Sequence, residues 1–265
     1  MQGIIRVPLS NVYCFAAASA EMVTQAVFAT VVIILEKREG WFRIQIPVQK
    51  KYTGWVKEEN VYAGELPAKD LKKMVVARHR AALKNFPQEN GKTFLELPLN
   101  ARPWVGEKSG NWFAVWIPGR NRGWINEQDL FAEKTAAQGK DTVEKVLQRA
   151  GTYKGVPYLW GGLTPEGFDC SGFVYTLFAL YGYDLHRDAD LQYRYDGLHV
   201  GMEEICRGDL LFFHEGKIEI PTHVGIYEGE QRFINASSRR GVVSYSLKED
   251  DWCSKLSGAK RIIVS

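Results

Sequence analysis

The feature that most constrains this chain is that it repeats itself. Gly40-Trp41-Phe42-Arg43-Ile44-Gln45-Ile46-Pro47 returns as Asn111-Trp112-Phe113-Ala114-Val115-Trp116-Ile117-Pro118, and Gly54-Trp55-Val56-Lys57-Glu58 returns as Gly123-Trp124-Ile125-Asn126-Glu127. A period of about 70 residues is too long for a solenoid and suits a small barrel that closes on itself. Trp41, Arg43 and Gln45 alternate with Phe42, Ile44 and Ile46 between Gly and Pro, which is the period-two pattern of a strand. Two small, self-contained β-barrels are expected over residues 1–66 and 67–134, with Trp41, Trp55, Trp112 and Trp124 filling their cores. One difference between the copies stands out. Tyr52, just before the second block of the first copy, has no counterpart in the second, where Arg120-Asn121-Arg122 stand.

Composition narrows the function classes. The 265 residues are 45% hydrophobic and 25% charged, an ordinary globular composition long enough for two or three domains. Lys and Arg number 34 against 31 Asp and Glu, and a net charge of +3 is too mild for a dedicated nucleic-acid binder. The four Cys, at 14, 170, 206 and 253, contain no C-x-x-C pair, which excludes a zinc ribbon or thioredoxin-type motif and makes a disulfide framework unexpected. His79, His186, His199 and His214 have no spacing that joins a metal trio, so neither metal nor cofactor is expected. The apolar run from Thr24 to Leu35 is about a dozen residues, short of the roughly 20 that a membrane helix needs. Arg6, Pro8, Ser10 and Asn11 interrupt any signal peptide ahead of Ala17-Ala18-Ser19-Ala20, so a cytoplasmic location is expected, where a thiol stays reduced. Nothing in the sequence sets an oligomeric state, and a monomer is the default.

From Phe131 the texture becomes polar, Ala132 to Lys140, which reads as a boundary before a third domain over residues 135–265. Asp141 with Glu144 three residues on is a variant capping box, and Val143, Val146, Leu147 and Ala150 carry a helix that Gly151 and Gly155 end. A second, apolar helix is expected from Ser171 to Leu180, stopped by Gly182. Strand-like runs follow at Asp209–Phe213, His223–Tyr227, Arg232–Ala236 and Arg261–Val264. Helices first and strands after make an α+β layout.

The chemistry concentrates at Asp169-Cys170-Ser171-Gly172-Phe173, where a loop becomes an apolar helix. Orphan N–H groups and the positive end of the helix dipole favour a thiolate there. The competing reading of Cys170, a small buried hydrophobe, holds unless a base is found. Hairpin arithmetic supplies one. With Glu228-Gly229-Glu230 as the turn, Tyr227 faces Gln231, Gly225 faces Phe233 and His223 faces Asn235. His223 and Asn235 then share one face and can hydrogen-bond, which is the Cys-His-Asn arrangement of papain-like enzymes.

Five motifs in order make a resemblance. Tyr158-Leu159-Trp160-Gly161-Gly162, Phe168-Asp169-Cys170-Ser171-Gly172-Phe173, Arg207-Gly208-Asp209-Leu210, His223-Val224-Gly225-Ile226-Tyr227 and Phe233-Ile234-Asn235-Ala236-Ser237 resemble the NlpC-type cysteine peptidases of bacterial cell-wall metabolism. The two repeats, with Gly-Trp-(Val/Ile) at 54–56 and 123–125, resemble bacterial SH3-like domains. The fold this implies is two SH3-like β-barrels followed by an α+β papain-like domain. The resemblance implies Cys170 as nucleophile, His223 as general base, Asn235 as the orienting group, where many members carry His, and Tyr158 near the oxyanion. The whole chain resembles the γ-D-glutamyl-L-diamino acid endopeptidases, which cut murein stem peptides bearing a free N-terminal L-Ala. That implies Asp169 and Ser171 as an amine-binding pair, with Tyr52 and Glu21 contributed by the first barrel. Leu185-His186-Arg187-Asp188-Ala189-Asp190-Leu191-Gln192 resembles the family segment lining the cleft, and Trp160 is expected there too. Arg187 could pair the free α-carboxylate of D-Glu or an internal Asp188 or Asp190. Ala189 stands where a hydroxyl residue is expected.

The expected partner is a murein-derived peptide, with neither nucleic acid nor membrane. The first expectation is therefore peptide recycling. An exported hydrolase of intact wall, with the barrels as anchors, and an inert peptide-binding module are the competing classes. The presence of Cys170 weighs against the last.

Overall fold

The computed structural model describes residues 1–120, 122–133, 140–214, 220–249 and 252–263. The expected boundary segment lies outside the described residues over 134–139, as do Asn121 and Val264. Two compact units are present, Met1–Glu133 and Lys134–Ser265.

The first unit holds two seven-stranded sheets. The first contains β1 (Gln2–Ile5), β2 (Leu9–Tyr13), β3 (Met22–Val27), β4 (Val31–Arg38), β5 (Trp41–Ile46), β6 (Tyr52–Lys57) and β7 (Val61–Tyr62), in the order β3-β2-β6-β5-β4-β1-β7. The second contains β8 (Lys72–Val76), β9 (Arg80–Lys84), β10 (Thr93–Pro98), β11 (Trp104–Ser109), β12 (Trp112–Val115), β13 (Gly123–Asn126) and β14 (Leu130–Ala132), in the order β10-β9-β13-β12-β11-β8-β14. The two orders are the same topology, so the sequence repeat is a structural repeat. The glycine of its Gly-Trp block has a steric cause: a Cβ on Gly54 would lie 2.5 Å from Val12 Cγ1 and 3.0 Å from the Tyr13 carbonyl oxygen. Here β2 and β6 approach too closely for a side chain.

Two expectations are corrected in this unit. The core of the first barrel is Phe42, Ile44, Ile46 and Val56, all at 5% exposure or less, and the alternation puts Trp41 and Trp55 on the opposite face. In the second barrel Trp112 and Trp124 are buried with Ala114 in a cluster of their own, as expected, and three of the four rings have a cation over them. Arg38 lies 5.1 Å from the Trp55 ring, Lys84 5.2 Å from Trp112 and Arg122 5.3 Å from Trp124. Nor are the barrels self-contained. Ile4, Phe28 and Ala29 of the first are buried in one cluster with Val76, Leu97 and Trp104 of the second, so each barrel completes the other's core.

The second unit contains α1 (Lys140–Gly151), β15 (Leu163–Thr164), β16 (Gly167–Phe168), α2 (Cys170–Ala179), α3 (Ala189–Tyr195), β17 (Leu198–Val200), β18 (Leu210–Phe213), β19 (His223–Gly229), β20 (Arg232–Ser237), β21 (Gly241–Ser246) and β22 (Leu256–Arg261). A six-stranded antiparallel sheet runs β17-β22-β18-β19-β20-β21. All ten residues of α2 are buried, which is why its sequence is apolar on every side. The last strand ends at Arg261 rather than starting there, and α3, β17 and β21 add to the expected elements. Arg261 fixes that end by donating from Nε and Nη2 to the two oxygens of Asp209, 2.8 Å each, and Asp209 is 2% exposed. This ion pair accounts for the Asp of Arg207-Gly208-Asp209-Leu210.

The β19–β20 register also differs from expectation. Ile226 opposes Ile234 and Tyr227 opposes Phe233, two residues away from the predicted pairing. The turn is Glu230-Gln231, both left-handed at φ 51° and 58°, as a two-residue hairpin of matching twist requires. A shift of two keeps each side chain on its face.

Candidate active site

The site is built on the loop that leads into α2. Asp169, in extended conformation, caps the helix by accepting from Gly172 N at 2.6 Å. Its other oxygen accepts from Gly161 N at 2.8 Å, which ties the Tyr158–Gly162 loop to the same point. A Cβ on Gly172 would meet the Gly162 carbonyl oxygen at 2.1 Å, so the glycine in Cys-Ser-Gly lets the loop lie directly on the helix. Tyr158 is half-buried in this loop and forms an isolated parallel bridge with Phe168, while Trp160 beyond it is 58% exposed.

Arg187 completes the construction. It is 1% exposed and grips Asp169 with both terminal nitrogens, Nη1 to Oδ1 at 3.0 Å and Nη2 to Oδ2 at 2.5 Å. Its Nη1 also donates to Ser171 Oγ at 3.0 Å, and Ser171 Oγ donates to Asp169 Oδ1 at 3.2 Å. The Asp169 carboxylate thus accepts five hydrogen bonds, from Gly161, Gly172, Ser171 and twice from Arg187, at 6% exposure. A carboxylate has about four lone-pair sites. The expected roles of Asp169 and Ser171 in holding an ammonium, and of Arg187 in holding a carboxylate, therefore meet side chains already committed to one another. Asp188 is half-buried at the N-cap of α3 and makes no capping bond. Gln192, fully buried, donates from Nε2 to the Ser171 carbonyl at 3.1 Å and the His186 carbonyl at 2.9 Å, pinning the 185–188 segment to the start of α2.

Cys170 is the first residue of α2 and 7% exposed. Its Sγ lies 3.9 Å from the Thr222 carbonyl oxygen and receives the backbone N–H groups of Ser171 and Val224. His223 is the residue between Thr222 and Val224, the two whose backbone groups meet the thiol. Its Nε2 is 2.9 Å from Asn235 Oδ1, and Asn235 Nδ2 donates to the Val243 carbonyl at 3.2 Å. The second bond orients the amide, because a carbonyl can face only the NH₂ end. Asn235 therefore presents an acceptor to the ring, Nε2 carries the proton, and Nδ1 of the neutral imidazole is left as the base. Asn235 is 0% exposed, and the bond to His223 is made diagonally across the strands rather than between opposed residues.

The thiol itself departs from expectation. Burial pushes it up to about 12, and the Asp169 charge adds to that rise. The N–H groups of Val224 and Ser171 and the Arg187 cation pull the other way and lose. A resting thiolate stabilised by the helix start alone is not what this environment favours. The proton has to be taken by a base.

Sequence reasoning missed Trp252. Its ring lies 5.4 Å from that of His223 at 32° and packs on Phe213, Phe233 and Tyr245 as well. It comes from a turn about thirty residues beyond the histidine, and no local pattern marks it. His186 binds Asp196 through Nδ1 at 2.8 Å. The two remaining candidates belong to the first unit. Tyr52 is the half-buried first residue of β6, and Glu21 is exposed just ahead of β3, its carbonyl accepting from Cys14 N at 3.0 Å.

Comparison with known proteins gives a consistent picture. The profile of the NlpC/P60 family matches residues 155–261. The chain is 30% identical over 222 residues to a γ-D-glutamyl-L-lysine dipeptidyl-peptidase of Bacillus subtilis, covering 80% of this chain and 71% of that one. It is 28% identical over 253 residues to the protein of the same description from Bacillus cereus, covering 91% and 75%. A crystal structure of an NlpC/P60 family protein from Bacillus cereus, at 21% identity, aligns over 100% of both chains with a TM-score of 0.86 and shares the fold.

Proposed function

The chain belongs to the NlpC/P60 family of peptidoglycan-related peptidases, and we propose that it is a cysteine endopeptidase cleaving the bond between γ-D-Glu and the following L-diamino acid of murein stem peptides. The substrate has a free N-terminal L-Ala, and the product is L-Ala-γ-D-Glu. The observation that carries the chemistry is the His223–Asn235 hydrogen bond, with the backbone on either side of His223 in contact with the thiol of Cys170. The name shared by the two Bacillus relatives supports the choice of bond.

In the proposed mechanism His223 Nδ1 takes the Cys170 proton as Sγ attacks the γ-carbonyl carbon of D-Glu. The oxyanion is held by N–H groups at the start of α2 with the hydroxyl of Tyr158. The imidazolium returns its proton to the departing amine, leaving a thioester on Cys170. His223 then removes a proton from water as it attacks that thioester, and L-Ala-γ-D-Glu leaves with the thiol restored. Asn235 keeps Nε2 protonated throughout. Asp169, Arg187, Ser171 and Gln192 hold the helix start in place.

The proposed setting is cytoplasmic recycling of wall peptides after the sugar has been removed. No helix among the described residues is long and apolar enough to cross a membrane. The test is turnover of L-Ala-γ-D-Glu-L-Lys by the wild type and Cys170→Ala. Wild-type release of L-Ala-γ-D-Glu that is abolished by the substitution is expected, and equal activity in both would remove the mechanism. Undiminished cleavage of the Nα-acetylated tripeptide would remove the requirement for a free amine.

A further inference from the structure

The hydrogen bond from His223 Nε2 to Asn235 settles which nitrogen carries the proton but leaves the plane of the ring loosely set, because the outer torsion of a histidine is broad. Aromatic rings supply the missing restraint. Phe213, opposed to His223 across β18 and β19, has its ring 6.1 Å away at 47°. The indole of Trp252 is closer and flatter, at 5.4 Å and 32°. Turning the imidazole about its Cβ–Cγ bond drives a ring edge into that indole face.

Trp252 is itself held firmly. It stands in the connection between β21 and β22, which is tied down by Leu247 N to Gln231 O (2.8 Å), Cys253 N to Leu247 O (3.1 Å) and His214 N to Lys255 O (2.9 Å). Its indole packs at 4.9 Å on Phe213, 5.2 Å on Phe233 and 5.5 Å on Tyr245, three rings at 3% exposure or less. Its Nε1 is buried and has no hydrogen-bond partner among the described residues. Ring packing rather than a hydrogen bond therefore sets the indole, and replacing it cuts no polar contact of the side chain.

We propose that Trp252 is a positioning residue for the general base, its indole face holding the His223 ring in the plane from which Nδ1 takes the proton of Cys170. The inference rests on the assignment of His223 as that base, and it concerns a residue that touches neither the thiol nor the substrate in the proposed mechanism. A ring held in register with its proton donor converts a chance encounter into a prepared one. If Trp252 only filled the cluster of Phe213, Phe233 and Tyr245, an apolar side chain of similar bulk would serve as well and the thiol would not register the change.

The test follows alkylation of Cys170 by iodoacetamide in the full chain, read by mass spectrometry, so it needs no substrate. The proteins are the wild type, Trp252→Met, Trp252→Phe, His223→Ala and the double variant of Trp252→Met with His223→Ala. Methionine keeps apolar bulk without a flat face, and phenylalanine keeps a face. Trp252→Met should slow alkylation by roughly threefold to tenfold, the range an aromatic pair supports, and Trp252→Phe should recover most of the rate. Once His223 is gone, Trp252→Met should have no further effect, because the two act through one ring. Equal rates in the wild type and Trp252→Met, no recovery by phenylalanine, or the same slowing in the His223→Ala background would each overturn the proposal. If the wild type and His223→Ala alkylate alike, the base assignment fails and this inference falls with it; slowing by His223→Ala with none by Trp252→Met overturns this inference alone. Where Trp252→Met loses its native circular dichroism, the wild type carries the decision. Its His223 Hδ2 and Hε1 signals, assigned in NMR by their loss in His223→Ala, should lie upfield of those of an exposed histidine through the indole ring current, and unshifted signals would overturn the stack.

Discussion

Replacing His223 by Ala should make Cys170 nearly inert to alkylation, and the size of the effect can be worked out. With its thiol pushed up to about 12, Cys170 would be thiolate in only about one molecule in ten thousand at pH 8, against roughly a quarter for an ordinary cysteine of pKa about 8.5. That alone is a factor of about two thousand. A more basic thiolate is also a better nucleophile, and a Brønsted slope of about 0.45 over about 3.5 units returns roughly fortyfold. The net expectation is alkylation by iodoacetamide roughly sixtyfold slower than that of an unstructured cysteine peptide, with 7% exposure slowing it further. In the wild type His223 offers the proton an alternative site, and the rate should rise well above that of the variant.

The pH profile carries the sign. Because the group is an acid whose pKa is raised, His223→Ala should alkylate about tenfold faster per pH unit from 7 to 10 without a plateau. The model peptide levels off near 9 to 10. Mass spectrometry of peptides containing Cys170, with time and pH as variables, reads the rate residue by residue. Identical rates in wild type and His223→Ala would refute the assignment of His223 as the base. A plateau below pH 10 in the variant would refute the claim that burial outweighs the helix start.

Three further outcomes are expected. Asn235→Ala should lower kcat by on the order of tenfold to a hundredfold with KM little changed, because Nε2 loses the acceptor that fixes its proton; steady-state kinetics on a protein of unchanged circular dichroism checks this. Gly172→Ala should destabilise the second unit by about 3 kcal/mol or more and abolish activity, since the new methyl cannot coexist with the Gly162 carbonyl 2.1 Å away. Phe28→Ala should cost about 3–5 kcal/mol and perturb indole signals of both barrels in NMR, because the ring is fully buried in their shared cluster; disturbance confined to the first barrel would contradict the shared core.

What was legible in the sequence divides along physical lines. The repeat, the strand alternation and the helix after Asp169 are local, and the chain order of the motifs is enough to recognise them. The ion pair of Arg187 with Asp169, the clamp made by Gln192 and the stacking of Trp252 on His223 join residues brought together by the fold, and no spacing predicts them. The thiol is a third case. At the start of α2 the N–H groups and the dipole are local and were foreseen, but the dominant cause, burial of Cys170, comes from how the whole unit packs.

The two corrected strand readings show which kind of error a period-two argument survives. The β19–β20 register was misplaced by two residues, yet His223 and Asn235 still meet, because an even shift changes the opposed residue but not the face. An odd shift would have put Asn235 on the face of Val224 and Ile226 and left the histidine without its partner. The tryptophans failed in the opposite way. The alternation had already set Trp41 and Trp55 against Phe42, Ile44 and Val56, and assigning all of them to the core gave residue type precedence over position. An aromatic ring can be buried by a cation laid over it as well as by a core: Trp55 lies beneath Arg38, whereas Trp112 and Trp124 have cations over them and also pack with Ala114 in a buried cluster.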